Sequence, residues 1–573
     1  MPESSPDSFT LSVLWENPYL LSSLLYLLVL VGVGVYKAKA VKDSEDFMVA
    51  GRTLPWYILV GTLLATWIGS GSLFSGAGLG YRNGLAGLWS SGGAWLGIVL
   101  VFFIAKRIRN FGKVTIPDIF QARYGSPAAI LATITTVIAY LTIVSYQFKG
   151  GGKVLSIVTE GAVSPEMGII VTAVFAITYT VLAGMFSVVY TDVVNGVLMT
   201  FGTLGALFWI VNAVGGAEEV YLAAEAAGKW SIWGNWAAER TSGISGPVLA
   251  MSFFVPTMLL LLGDANVYQR IFSARDGGSA RKAVFFWVIG VLVLESAVGF
   301  LGLAGSVAAE KGVISPIVQE AEDGKIEELR NDRRGAGEVL DSSFDEQIVA
   351  AIALLDGPHR SDFSASGEDV EVQEAALAIQ KARKSGSEGV IPAIALSLPL
   401  LLGMLLVATM MAIIVSTADS FLLIPATNLT RDVYQRIRPE IDDRSVLVTS
   451  RIFVLVLGGV ALLLVSQFET VLDAAFTAYN IYGASIAPAL LAAFLWKRAT
   501  LTGAVASIVL GAGVTILWTY GGLDTTSFHP FLQEPTFPAA LTSIGGLVVG
   551  SLATAAPPKE VWGPFFDEGG PSS

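Results

Sequence analysis

Cysteine is absent from the 573 residues, which excludes disulfides, thiolate metal sites and a cysteine nucleophile. Histidine is nearly absent. Its two copies, His359 and His529, fall in expected loops, which argues against imidazole catalysis or a zinc centre, and no enzymatic activity is expected. Charge is scarce as well, at 14% of residues, against roughly 25% in soluble domains. Most of this chain is therefore not meeting water. The net charge of −12 argues against nucleic acid as a partner. What fills the chain instead is apolar, 53% of it, in recurring runs of about 20 residues that suffice to cross a ~30 Å hydrocarbon core. These features predict an all-α polytopic membrane protein whose partner is the lipid bilayer. The amino terminus, MPESSPDSFTLSVLWENP, is acidic and lacks a basic region, so no cleaved signal peptide is expected.

Apolar windows between charged or Gly/Pro-rich punctuation give about thirteen spans. They cover 18–36, 54–80, 86–105, 127–148, 166–184, 188–213 and 247–264, then 283–307, 391–428, 447–466, 471–496, 500–520 and 536–556. Lysine and arginine collect in every second loop: Lys37, Lys39, Lys42 and Arg52; Lys106, Arg107, Arg109, Lys113 and Arg123; Arg270, Arg275, Arg281 and Lys282; Arg431, Arg436, Arg438 and Arg444; Lys497 and Arg498. Threaded alternately, all these clusters fall on one side, which the positive-inside bias makes cytoplasmic. The expected location is the cytoplasmic (inner) membrane, with the amino terminus outside and the carboxyl terminus inside. Residues 310–389 form an acidic outer segment, with stretches such as DSSFDE, SDFSASGED and EVQEAALAIQKARK. It reads either as a solvated loop with a helix or two, or as a lid.

Two spans are interrupted. LATWIGSGSLFSGAGLGY carries Gly69, Gly71, Gly76, Gly78 and Gly80 among Ser70, Ser72 and Ser75. Each glycine costs roughly 1 kcal/mol against alanine in a helix, so this stretch is either unwound around a ligand or tightly packed. Five spans later, LLLLGDANVYQR places Gly263, Asp264 and Asn266 at the end of an apolar run. Matched interruptions in two five-span units, the second necessarily inverted, point to a transporter. A third feature is the polar island in IIVSTADSFLL, where Ile413, Ser416, Thr417 and Ser420 share one helical face. Its hydroxyls either back-bond to their own helix or, with carbonyls from the broken span, form an oxygen cage for a hard cation such as Na⁺.

Six ordered motifs resemble the sodium:solute symporter family: AGRTLPW (50–56), ATWIGSGSLFSGAG (65–78), TIPDIFQARYG (115–125), TYTVLAGMFSVVYTDVVNG (178–196), YQRIFSARD (268–276) and STADSFLLIPATNLTRDVYQR (416–436). The resemblance implies a leucine-transporter-type core of two inverted five-helix repeats, at 54–213 and 247–496. Residues 1–53 hold a peripheral helix and loop, 214–246 an outer loop, and 497–573 two peripheral helices and a tail. It implies Na⁺ as coupling ion and import of a small organic solute by alternating access, for which a single chain suffices. The implied sodium ligands are the carbonyls of Ala65, Ile68 and Ile413 and the side chains of Ser416 and Thr417. Asp192 matches a TD motif with a role in the ion exit path or in capping. ATWIGSGS, SVVYTDVV and STADS are most similar to the choline-transporter branch, where Trp67 would match an aromatic that packs on a quaternary ammonium. The chain departs from that branch at Asp264 and near Ile143, where aromatics are expected. Substrate contacts are therefore sought among Trp67, Ser70, Gln147, Asp264, Asn266, Tyr268 and Tyr482, with Asp419 serving ion, substrate or structure. Two alternatives stand beside Na⁺ symport. One is H⁺ coupling through Asp419 or Asp264; the other is a transporter-like sensor, against which the short tail after Ala556 speaks.

Overall fold

The computed structural model describes residues 16–38, 48–112, 115–234, 236, 246–335, 342–356, 370–438, 440, 442–521, 523 and 528–566. The acidic amino terminus, Lys39, Lys42, Lys113, His359, the stretch SDFSASGED and the last residues of the tail lie outside them. Among the described residues, eleven helical stretches are long and apolar enough to cross a membrane, and two shorter apolar helices, Pro18–Val33 and Trp56–Trp67, join them. Each expected span has a helical counterpart.

A peripheral helix α1 (Pro18–Ala38) precedes the core. The first core span is broken into α2 (Trp56–Trp67) and α3 (Ala77–Asn83), joined by a π turn over Gly71–Gly76. Next come α4 (Leu88–Asn110), the short α5 (Ile116–Tyr124) and α6 (Ser126–Val158). α7 (Pro165–Leu182) and α8 (Val188–Ala213) follow, with Gly184 at φ 59° and ψ 177° between them. Only glycine adopts that backbone without strain. After the surface helix α9 (Ala217–Ala226), the second set opens on another broken helix, α10 (Gly246–Gly263) and α11 (Ala265–Ser273). α12 (Gly277–Glu310) completes this hairpin.

Three helices then leave the core: α13 (Ile317–Gly335), α14 (Ser342–Asp356) and α15 (Val370–Ser387). The chain returns through α16 (Val390–Ser397), α17 (Leu400–Asn428), α18 (Asp443–Leu464) and α19 (Val471–Leu495). The expected span 391–428 is thus two helices. Pro399 holds Leu398 extended, at φ −71° and ψ 157°, and ends the first of them. A peripheral hairpin, α20 (Leu501–Tyr520) and α21 (Thr536–Ala553), packs on α19, and α22 (Lys559–Phe566) closes the described chain.

Each set of five spans opens on a broken helix, and the odd number makes the second run opposite to the first. α17 lies at the centre, packed by α1, α2, α6 and the α7–α8 pair, and buried without interruption from Thr409 to Asn428. The glycine run serves both purposes that its sequence allowed. Its first part breaks the helix, whereas a Cβ on Gly80 would overlap the Gly299 carbonyl of α12, so the second part exists for close packing. The basic clusters meet on one face. There Arg123 donates to the carbonyls of Trp496 and Lys497 at 3.3 and 3.1 Å, Arg431 pairs with Asp118 at 3.2 Å, and Arg436 reaches Gln121 at 2.9 Å.

The segment between α12 and α16 is more than a solvated loop. α13–α15 enclose their own apolar core of Phe344, Ile348, Leu355, Val372 and Ile379, and Arg383 pairs with Glu322 at 2.7 Å. At its outer surface the Arg333 guanidinium beside Glu371 holds that carboxyl below its usual range. The joint to the membrane core is Glu388. It accepts from the backbone N–H groups of Val471 and Leu472 at 3.2 and 2.9 Å, at the N-terminus of α19, and from Lys153 of α6 at 3.3 Å. A carboxylate there meets orphan donors and the positive helix end together. Glu388→Ala should therefore cost about 1–3 kcal/mol, read as a lower melting temperature of the detergent-purified protein, while Glu371→Ala at the exposed rim leaves that temperature unchanged.

Candidate functional site

The site is built on the break between α2 and α3. Ile68 is extended, at φ −82° and ψ 98°, so the helical ladder ends with its N–H on the Leu64 carbonyl. The carbonyls of Ala65 and Ile68 then turn toward α17, where the Thr417 hydroxyl lies 3.4 Å from both. That spacing is long for a hydroxyl hydrogen bond. It matches the edge of a metal coordination shell: oxygens held at right angles around an ion at roughly 2.4 Å stand about 3.4 Å apart. Gly69 is required here, because a Cβ would stand 2.7 Å from the Gln147 amide nitrogen and 2.8 Å from the Thr417 methyl. On α17 itself, Ser416 donates to the Ile413 carbonyl at 3.2 Å. The structure thus brings Thr417 to Ala65 and Ile68, while Ser416 back-bonds to Ile413 within α17, and all five residues are buried.

One turn toward the basic face lies a charged layer. Arg270 of α11, fully buried, reaches Asp192 at 3.2 Å, Ser420 at 2.8 Å and Thr62 at 3.0 Å, and Thr62 donates to Asp192 at 2.6 Å. Ser420 bonds to the Ser416 carbonyl at 2.9 Å and lies 3.4 Å from Asp419, which ties this layer to the hydroxyl pair above it. Oδ2 of Asp419 meets no hydrogen-bond partner among the described residues. Arg270 thus pairs directly with Asp192 and reaches Asp419 only by way of Ser420.

On the other side of the break a narrow cavity is lined by Trp67, Gly71, Ser72, Thr257, Glu295 and Tyr479, among others. A second narrow space shares Trp67, Gly71, Ser72 and Tyr479 and adds Gln147, Thr417 and Phe421. Of the expected substrate contacts, Trp67 and Gln147 line these spaces. Ser70 lies behind them, its N–H on Gln147 Oε1 at 2.9 Å. Asp264, Asn266, Tyr268 and Tyr482 cluster instead at the second helix break. Asp264 caps α11 by accepting from the Asn266 N–H at 2.8 Å and receives the Tyr140 hydroxyl at 2.6 Å, while Tyr268 donates to the Leu262 carbonyl at 3.0 Å. Tyr140 packs at a tilt against Phe421 and Tyr482, with ring centres 4.7 and 5.2 Å away, and Phe421 lines the second space.

Two residues of the site were missed from sequence, Arg270 and Glu295. Arg270 reads as one more member of a basic loop cluster. Glu295 interrupts the apolar run VLVLESAVGF, and a carboxylate inside a span is itself a signal of function.

A model of the sodium:solute symporter family matches residues 47–322 and 369–511. The osmoregulated proline transporter OpuE of Bacillus subtilis is 23% identical over 550 residues, covering 93% of this chain and 94% of that protein. The sodium/proline symporter of Salmonella typhimurium is 24% identical over 95% of this chain and 94% of its own length, and the sodium/pantothenate symporter of Escherichia coli 24% over 49% and 59%. Among solved structures, a Na⁺-coupled sialic acid symporter superposes with a TM-score of 0.70 at 16% identity, over 94% of this chain and 98% of that one. Mhp1, a nucleobase-cation-symport-1 family transporter, gives 0.51 at 12% identity, over 91% and 96%.

The charged layer generates a stability prediction. Removing one partner of a buried ion pair costs about 3–5 kcal/mol, because it strands the other charge. Arg270→Ala should lower the melting temperature sharply. Adding Asp192→Asn should recover part of that loss, a positive coupling that a double-mutant cycle on the purified protein measures.

Proposed function

The chain belongs to the sodium:solute symporter family, and we propose that its Na⁺ binds where α17 meets the break in α2, held by Ala65, Ile68, Ile413, Ser416 and Thr417. The observation that carries this reading is the Thr417 hydroxyl set 3.4 Å from two carbonyls that the helix break has released. Neutral oxygens suit a monovalent hard cation: they replace its water without the field of a carboxylate cluster.

Coupling follows from chain connectivity. The Ile68 carbonyl faces the ion position, while the neighbouring Trp67 and Gly71 line the cavity on the other side. An ion that fixes the unwound segment therefore presets the wall against which the solute binds, and a bound solute favours the ion by the same factor. Alternating access is then a rocking of one set of spans against the other about the two breaks. The solute is small and organic; proline and pantothenate are what the related symporters carry by name. Asp192, in the layer toward the basic face, lies on the ion's route to the interior. The clustering of Arg123, Arg431 and Arg436 supports a cytoplasmic assignment for that face, with the amino terminus outside and import as the direction of transport.

The test is a sodium titration of the purified protein, with K⁺ holding ionic strength constant and the melting temperature as readout. The wild type should be stabilised in a saturable manner. Ser416→Ala with Thr417→Ala should raise the half-saturating Na⁺ concentration about 10-fold or more, since each lost ligand costs on the order of 1 kcal/mol. An unchanged sodium dependence in the double variant refutes this placement of the ion.

A further inference from the structure

Glu295 of α12 belongs to none of the groups that hold the ion. It is 5% exposed and lies midway along a span, at the edge of the cavity beside the helix break. Three donors converge on its carboxylate. The indole N–H of Trp67 reaches Oε1 at 2.9 Å, the hydroxyl of Ser72 reaches the same oxygen at 3.3 Å, and the indole N–H of Trp95 reaches Oε2 at 3.1 Å. An indole can donate but cannot accept. Each carboxylate oxygen therefore accepts from an indole, and the Ser72 hydroxyl adds to one of them. No lysine or arginine among the described residues lies within ion-pair distance of it, and neither of the two spaces beside the break is lined by a basic side chain.

We propose that Glu295 receives the positively charged nitrogen of the transported solute, so that the chain selects ammonium-bearing solutes, amines or zwitterions, over anions. The proposal rests on the reading of the chain as a Na⁺-coupled symporter and names the class of solute that its site takes. A buried carboxylate without a counter-charge is costly even when hydrogen-bonded, and a cationic ligand relieves that cost in the bound state. The walls suit the same ligand. Trp67, Phe476 and Tyr479 border the cavity, and aromatic faces attract ammonium groups. An anionic solute would meet a like charge there and no basic partner.

The experiment compares L-proline and choline, which carry ammonium groups, with pantothenate, an anion, as stabilisers of the purified full chain at saturating Na⁺. At least one ammonium probe should raise the wild-type melting temperature and pantothenate should not. For that ammonium probe, Glu295→Gln should bind roughly 10- to 100-fold more weakly, and Glu295→Asp should retain part of the affinity. Stabilisation by pantothenate, no response to either ammonium probe at millimolar concentration, or unaltered affinity in Glu295→Gln each overturns the proposal. Should the Gln variant fail to fold, the wild-type contrast between ammonium and anion decides alone. Sodium alone, titrated on the same samples, separates the two readings. A normal sodium response without ammonium selectivity sinks only the role of Glu295, whereas a missing sodium response sinks the symport reading beneath it.

Discussion

The fold turns on a requirement set by the membrane: a carbonyl released from its helix inside the bilayer must find another partner. Ile68 leaves the helical conformation, and the carbonyls of Ala65 and Ile68 lose their ladder. Facing both, at 3.4 Å, is Thr417, on a helix buried on all sides over twenty residues of its length, Thr409 to Asn428. This explains why the break is tolerated and why it occurs where it does. α17 must pass within reach of α2 at that level, and Gly69 must lack a side chain for the two to approach. The second break solves the same problem differently, with the Asp264 side chain capping the restarted helix.

From that junction the polar interior divides into layers. Below it, Arg270 holds Asp192 and, through Ser420, the end of the hydroxyl face. Above it, Glu295 is fixed by two indoles and a serine. The layers are joined by short covalent paths: Trp67 and Ile68 are neighbours, and Ser416, Thr417, Asp419 and Ser420 occupy about one turn. Strain or charge introduced in one layer is felt in the next through backbone rather than through loose side chains, the rigidity that coupling two ligands requires.

The broken spans and the hydroxyl face were legible because they violate the local rules of an apolar helix. Gly69 and Gly71, Gly263 with Asp264, and STADS each stand where hydrophobic continuity is expected, and the structure brings the first and third together. Other features were hidden for physical reasons. A single carboxylate such as Glu295 barely perturbs the hydropathy of a long span, and its indole partners, Trp67 and Trp95, come from two other helices. Asp264 reads from sequence as a ligand because caps and ligands use the same chemistry, a carboxylate accepting hydrogen bonds. Its role as a cap shows only in the N–H of Asn266 that it meets. The apolar core of α13–α15 escaped because its buried residues are spread over three helices that each carry a charged outer face.

Charge links the two proposals. Sodium and an ammonium solute are both cations, and held on opposite sides of one broken segment they repel each other in a medium that screens poorly. A site of neutral oxygens alone would make the two ligands compete. The surrounding carboxyl groups offset that: Asp192, paired with Arg270, and Asp419 lie on the sodium side, and Glu295 lies on the solute side. The ammonium group then meets a carboxylate, while the contacts of the sodium remain with hydroxyls and carbonyls. The carboxylates near the ion set the field without binding it tightly, and a coupling ion has to leave on every cycle. The same logic accounts for a serine and a threonine, rather than acids, facing the helix break.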